Sequence, residues 1–183
     1  MNNILLKILT SSFLCFSLLT TALHARELEA GEWYVRLTAI SGDLKDTGNV
    51  LGQLKDSKRS YDLHDLKELS PFATPYLTIV FPHPDWGDHA GDYASDFLGI
   101  RGRSHSWTFE VRSDDPNREI TLNWSSEADM TGMLLVDRVT GTKLEAQDAG
   151  QQYTFNMGGE TVRGFEWVVR DTKRDKKNSN KIN

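Results

Sequence analysis

Six side chains that can bind metal ions lie within the segment Pro82–Gly99. They are Asp85, Asp88, Asp92, Asp96, His83 and His89. The segment contains no lysine or arginine, so its carboxylates repel one another unless solvent or a cation compensates them. Calcium prefers carboxylate oxygens, whereas zinc or another transition metal would use both histidines and one aspartate. The spacing makes this segment a candidate metal site, and a solvated Asp-Gly loop is the structural alternative.

The same segment contains two aromatic residues that could contact a ligand. Trp86 follows a strand pattern that ends at Pro82, and Tyr93 lies seven positions after it. Aromatic side chains combine a large apolar face with a polar atom, so they suit both stacking and hydrogen bonding. We therefore predict Trp86 and Tyr93 as candidate ligand-binding residues, in the manner of a carbohydrate-binding module.

A second polar stretch, residues 41–75, separates the first two strand patterns. Connections of this length are usually functional or packed internally. Short turns are expected around Asn49–Leu54 and Leu63–Leu69, with Asp62 and Asp65 capping the second turn. That arrangement would tuck Leu63, Leu66 and Leu69 against the domain. The alternative is a site for a hard cation, although no spacing here matches an EF-hand.

Alternation of apolar and polar residues predicts the elements that position these segments. Seven segments show period two or a β-branched and aromatic composition, and turn signals separate most of them. They are residues 32–40, 76–81, 106–112, 119–125, 132–139, 152–157 and 162–170. Their inward positions include Trp33, Trp107, Trp124 and Trp167, which we expect in the core. The pattern predicts an all-β fold, a two-sheet antiparallel sandwich of about seven strands with a long loop region in its N-terminal half.

The motifs of several enzyme classes are missing from this sequence. It contains no Gly-x-Ser-x-Gly, no His-Glu-x-x-His and no phosphate-binding loop. Residues 26–172 carry 15 basic and 25 acidic side chains, a net charge of −10, which argues against nucleic acid as a partner. A metal-dependent hydrolase that uses His83, His89 and nearby aspartates is the least favoured hypothesis.

The N-terminal residues have the pattern of a secretory signal peptide. Lys7 precedes an apolar run, and Leu-His-Ala at residues 23–25 precedes the charged segment that begins at Arg26. We predict cleavage after residue 25, a single β-sandwich domain over residues 26–172 and a basic disordered tail over residues 173–183. A retained membrane anchor is the alternative. Cleavage would remove Cys15, the one cysteine of the chain, and would leave no transmembrane segment.

The order of these short motifs resembles a fibronectin-III-like or immunoglobulin-like module of secreted and surface proteins of bacteria. The residues that carry the resemblance are Asp46, Asn49, Leu51-Gly52, Tyr61-Asp62, Asp65, Phe81–Trp86, Tyr93, Asp96, Trp107, Phe109, Val111, Ile120–Leu122, Trp124, Leu134–Asp137, Tyr153, Phe155 and Phe165. The resemblance implies a non-catalytic sandwich and a structural role for the Asp and Asn residues of the long loop. It supplies no ligand.

These observations together predict a non-catalytic exported protein, periplasmic, secreted or at the cell surface. It would act as a binding or structural module through an unknown protein or polysaccharide partner at the cell surface. A carbohydrate-binding module with a divalent-cation loop is the alternative. No cofactor is required, and calcium is the candidate ion.

Overall fold

The computed structural model describes residues 27–100, 105–147 and 151–170. The predicted signal peptide and the predicted basic tail lie outside these residues. Eleven strands are described, all in the compact unit that begins at Gly31. In chain order they are β1 (Trp33–Ser41), β2 (Leu44–Leu54), β3 (Leu77–His83), β4 (Gly91–Tyr93), β5 (Ser95–Gly99), β6 (His105–Ser113), β7 (Glu119–Ser125), β8 (Met133–Asp137), β9 (Lys143–Glu145), β10 (Gln152–Asn156) and β11 (Val162–Val169). A single 3₁₀ turn, Gly87–His89, is the one helical segment of the described residues.

The strands form two sheets, which confirms the predicted all-β sandwich. One sheet has the order β10-β7-β1-β2-β5, and the other has the order β4-β3-β6-β11-β8-β9. All pairs are antiparallel except β2 with β5, which are parallel. Within the described residues, no helix has the length and apolar character needed to cross a membrane.

All seven predicted strands are present, with bounds that differ by at most two residues from those predicted. The agreement follows from alternation, because a half-buried strand places every second side chain in the core. On β6, the side chains of Trp107, Phe109 and Val111 are buried, and those of Ser106 and Thr108 are exposed. β1, β7 and β11 show the same pattern.

Aromatic rings from both sheets meet in the core. Phe109 of β6 and Phe165 of β11 stack with their centroids 5.4 Å apart, and Trp124 of β7 meets Trp167 edge to face. Such pairs add about 0.5–1.5 kcal/mol each beyond the area they bury. Trp107, Trp124 and Trp167 are buried as predicted, whereas Trp33 is half-buried and donates its indole N–H to Gln53.

The first part of the long loop is a strand, which corrects the expected turn at Asn49–Leu54. β2 contains Gly48 and Gly52, and these residues hide its strand character in the sequence. Gly48 is an extra residue opposite a register shift in β1 and has a φ of 123°, as expected of a β-bulge. At Gly52 a Cβ atom would lie 2.3 Å from the Trp33 carbonyl oxygen. Close packing between β1 and β2 therefore requires glycine there.

A buried ion pair within the six-stranded sheet also accepts a hydrogen bond from the opposite sheet. Arg163 of β11 donates to Oδ2 of Asp137 of β8 at 2.6 Å, and both side chains are buried. The hydroxyl of Tyr153, on β10 of the opposite sheet, donates to the same oxygen at 2.9 Å. Oδ1 of Asp137 accepts the Val139 amide of the following turn. This carboxylate is satisfied on both sides.

We expect Asp137→Asn to lower the free energy of unfolding by about 3 kcal/mol, because it leaves the buried Arg163 guanidinium without a counter-charge. Urea denaturation followed by tryptophan fluorescence measures the change. The matched control is Asp85→Asn, an exposed aspartate, for which the change should stay within about 0.5 kcal/mol. Equal effects of the two substitutions would contradict a stabilising role for the buried pair.

Candidate functional site

Residues 55–76, here called the strap, connect β2 to β3 and are held against the edge strand β5. The buried carboxylate of Asp65 accepts the Phe97 amide at 3.0 Å through Oδ1 and the Asp62 amide at 2.9 Å through Oδ2. The Ser95 hydroxyl accepts the Leu66 amide and donates to the His64 carbonyl, both at 2.7 Å. The strap therefore covers an edge whose backbone groups would otherwise be free to pair with another chain.

Asp62 and Asp65 organise this part of the chain as turn-forming residues, as the sequence predicts. Oδ1 of Asp62 accepts the His64 amide, and Oδ2 accepts the Lys58 amide, both at 2.8 Å. Burial raises the pKa of Asp65 to about 6, and the charges of Asp62 and Asp96 act in the same direction against the two amide hydrogen bonds. Asp65 is therefore an anchor that resists ionisation.

The strap exposes a row of large apolar side chains, which corrects the expectation that they tuck against the sandwich. The row consists of Leu63, Leu66, Leu69 and Phe72, whose exposed fractions lie between 52% and 92%. These residues recur at every third position. The hydrogen bonds of Asp65 and Ser95 hold the backbone here, so the leucines are left to face solvent. We call this set the apolar row.

A cleft of about 650 Å³ lies between the second half of the strap and the outer face of β3. Its volume is within the range of small-molecule sites, about 300–1,000 Å³. The strap contributes residues 67–74 and Tyr76, the sheet contributes Thr78, Val80 and Arg112, and β4 contributes Gly91 and Asp92. Leu69 and Phe72 belong to both the apolar row and the cleft, whereas Leu63 and Leu66 lie outside the cleft.

The polar groups of the cleft are unevenly compensated. The Arg112 guanidinium donates to both oxygens of Asp92, at 2.6 and 3.0 Å, and also to Glu110 at 2.8 Å. Glu68 is half-buried, and within the described residues it has no salt-bridge partner. Burial, followed by the charge of Asp46, raises the pKa of Glu68, and Asp92 adds to the effect. A desolvated carboxyl without a counter-charge is a typical feature of binding sites.

The predicted metal-ligand residues of Pro82–Gly99 are distributed among separate contacts. Asp96 pairs with His83 at 3.1 Å, and Asp92 pairs with Arg112 of β6. Asp85 and Asp88 are exposed. Among the residues that the structure describes, no three His, Cys, Asp or Glu side chains are grouped as metal ligands. The Arg112 guanidinium, from a distant strand, compensates the charge of Asp92, and the His83 imidazole lies within hydrogen-bond distance of Asp96.

The aromatic and histidine side chains of this segment pack against one another. Trp86 is half-buried and stacks on His83 with centroids 3.6 Å apart and planes 10° from parallel. His89 stacks on Tyr61 of the strap at 4.0 Å. Tyr93 is fully buried, and its hydroxyl donates to the His89 carbonyl. Of the two predicted aromatic residues, therefore, only Trp86 is partly accessible to solvent in this structure.

Sequence reasoning missed the apolar row as an exposed surface and missed Glu68 and Arg112 altogether. The three-residue repeat of large apolar side chains inside a polar loop was the available signal for the row. It fits neither a strand nor a full helical period. Arg112 lies on the outward phase of β6, and nothing local in the sequence links it to Asp92, 20 positions away.

Because the pKa of Asp65 is raised in the folded protein, its protonation should stabilise the fold. The contribution of Asp65 to stability should be highest below its ordinary pKa of 3.8 and should decrease as the pH rises to about 6, by at most about 3 kcal/mol. Urea titrations at several pH values give the free energy of unfolding of wild type minus that of Asp65→Asn. This quantity should therefore be more positive at pH 4 than at pH 7.

Glu68→Gln serves as the comparison variant, because the pKa of Glu68 is also raised by burial and contributes with the same sign. Other titrating groups cancel when each variant is compared with wild type at one pH. A difference for Asp65→Asn that does not change with pH would show that the carboxyl is no more costly to ionise in the folded state than in the unfolded state.

No protein-family model, curated protein or solved structure that was compared with this chain matches it. Its function therefore has to be inferred from its own geometry and charge.

Proposed function

We propose that this chain is an exported, non-catalytic β-sandwich module of the immunoglobulin-like or fibronectin-III-like kind that binds a protein partner through the apolar row. The observation that carries the proposal is the exposure of four large apolar side chains on one short stretch, Leu63–Phe72. Concentrated exposed apolar surface on a soluble domain marks an interaction site.

The apolar row differs from the other exposed apolar residues of the described chain. Leu28, Val139 and Val162 are also exposed, but they are far apart in sequence and lie on different elements. Single exposed apolar residues are ordinary on protein surfaces. Full burial of one leucine or phenylalanine against a partner contributes about 1.5–3 kcal/mol, so four neighbouring side chains provide enough hydrophobic area for specific binding.

The strap is already ordered in the free protein. Its Leu66 carbonyl accepts the Ala94 amide at 2.7 Å, and its Glu68 amide donates to the Asp92 carbonyl at 3.0 Å. With the bonds to Asp65 and Ser95, these contacts hold the middle of the row. A preorganised surface loses less conformational entropy on binding than a flexible one.

The composition of the row favours a protein over a polysaccharide. Three of its four members are leucines, whose branched side chains fill pockets but present no flat face for a sugar ring. Two polar side chains next to the row, Asp65 and Ser95, make hydrogen bonds to backbone groups. These bonds favour a structural role for the two side chains over a catalytic role.

The test places the photoreactive residue p-benzoylphenylalanine at Leu63, Leu66 or Val139 of the full chain, in the cells that make the protein. We expect one discrete cross-linked species from positions 63 and 66 and none from position 139. The cross-linked species from position 63 should disappear when Leu66 is changed to serine, and the species from position 66 should disappear when Leu63 is changed to serine. Circular dichroism and the melting temperature confirm that each variant folds.

Two outcomes would contradict the proposal. Absence of a discrete species from positions 63 and 66, or equal labelling from position 139, would show that the row is not an interface. A species of exactly twice the chain mass would identify the occupant as a second copy of this chain rather than a different protein.

A further inference from the structure

We propose that the cleft between the strap and β3 binds a protonated primary amine, the lysine side chain of a protein partner. The inference rests on the proposed function, because it adds to the apolar row the polar feature that the partner must carry. Binding of an amine by the cleft can be tested separately with a small molecule.

The walls of the cleft suit the aliphatic part of a lysine side chain. Leu69 and Phe72 of the strap lie on one side, and Val80 lies on the outer face of β3. Tyr76 contributes a second aromatic ring. Lysine packs its methylene groups along apolar surface while its charged end reaches polar groups. Aromatic faces also attract an ammonium group within about 6 Å of the ring.

The charge of the cleft favours a cation over an anion. Its one guanidinium, Arg112, is already matched by two carboxylates, Asp92 and Glu110. Lys67 is directed toward the ring of Tyr93, with Nζ 5.8 Å from the ring centroid. Glu68 is left without a salt-bridge partner in the described part of the chain. An anion would approach this uncompensated carboxylate unfavourably, whereas a cation would neutralise it.

The arrangement of acceptor oxygens favours an ammonium group over a second guanidinium. Both oxygens of Asp92 are occupied by the bidentate contact with Arg112. Hydrogen bonding by the Leu69 amide opposes the raised pKa of Glu68, so one of the two Glu68 oxygens is already engaged. Guanidinium groups bind best to a free carboxylate in a two-point geometry, whereas an ammonium group acts as a compact charge on single oxygens.

The electrostatic state of Glu68 agrees with this ligand. Burial and the nearby charges of Asp46 and Asp92 raise its pKa against the hydrogen bond from the Leu69 amide, which means that the ionised form is less stable in the free protein than in water. A bound ammonium group would supply the missing contact and lower that pKa. Binding would thus relieve a cost that the folded chain carries by itself.

The test is a titration of the full chain, followed by NMR, with Nα-acetyl-lysine N-methylamide and with the norleucine analogue. The two probes have similar aliphatic chains and differ in the terminal ammonium group. We expect the lysine probe to shift the amide resonances of strap residues 67–74 and to bind about tenfold more tightly than the norleucine probe, as for a charge-assisted hydrogen bond.

Variants assign the effect to the cleft. Glu68→Gln should reduce the affinity for the lysine probe about tenfold and abolish the preference over norleucine, and the exposed control Glu127→Gln should leave both unchanged. Phe72→Tyr should retain binding, whereas Phe72→Ala should weaken it, because the ring face is kept in the first and lost in the second. The melting temperature of each variant shows whether it is folded.

Three results would overturn the inference. Equal binding of the two amides would mean that the cleft recognises apolar surface alone, and binding of neither by the folded protein would mean that it takes no such ligand. Tighter binding of a glucosamine trimer than of the lysine probe would identify the ligand of the cleft as an amino-polysaccharide rather than a protein. Failure here leaves the proposed function testable, since Leu63 and Leu66 lie outside the cleft.

Discussion

The buried carboxylate of Asp65 is the contact on which the proposed binding surface depends. It joins two backbone amides, one from its own turn and one from the edge strand β5, and so holds the strap on the sandwich. Burying a carboxylate is unfavourable, and the raised pKa of Asp65 reflects that cost. The hydrogen bonds to backbone amides offset part of the cost, and their geometric result is a strap with a defined path. Both the apolar row and the cleft exist because the strap follows that path.

Most side chains of the segment Pro82–Gly99 that could bind a metal or ligand take part in packing and pairing contacts. Its histidines stack on Trp86 and Tyr61, and two of its four aspartates pair with basic groups. One of those groups, Arg112, lies on a strand that the local sequence does not reveal as a neighbour. The segment also holds the strap through its backbone. The Asp92 carbonyl accepts the Glu68 amide, and Tyr93 forms a β-bridge with Lys67. The candidate interaction surface therefore lies on the strap, above this segment.

The packed core and the exposed apolar side chains lie in different parts of the molecule. The Trp124–Trp167 contact and the hydrogen bond from Tyr153 to Asp137 join the two sheets, and the Arg163–Asp137 ion pair lies within one of them. The strap adds leucines that contribute little burial to this core. A chain that places large apolar side chains in solvent while building a well-packed interior elsewhere has a surface suited to a partner. Under the proposed function, the acidic groups beside that surface would favour a positively charged group on the partner.

The sequence by itself determined the two-sheet sandwich and seven of its strands, because alternation is a local pattern that survives in any tertiary context. It also indicated that Asp62 and Asp65 organise turns, since short acidic side chains bond to nearby amides. It did not reveal β2, whose glycines and polar residues become a strand only between β1 and β5. Nor did it place Tyr93 in the core, pair Asp92 with Arg112 or expose Leu63 and Leu66. Those features depend on which segments meet in space. Only the tertiary structure decided them, because burial and charge compensation are set by neighbours that are distant along the chain.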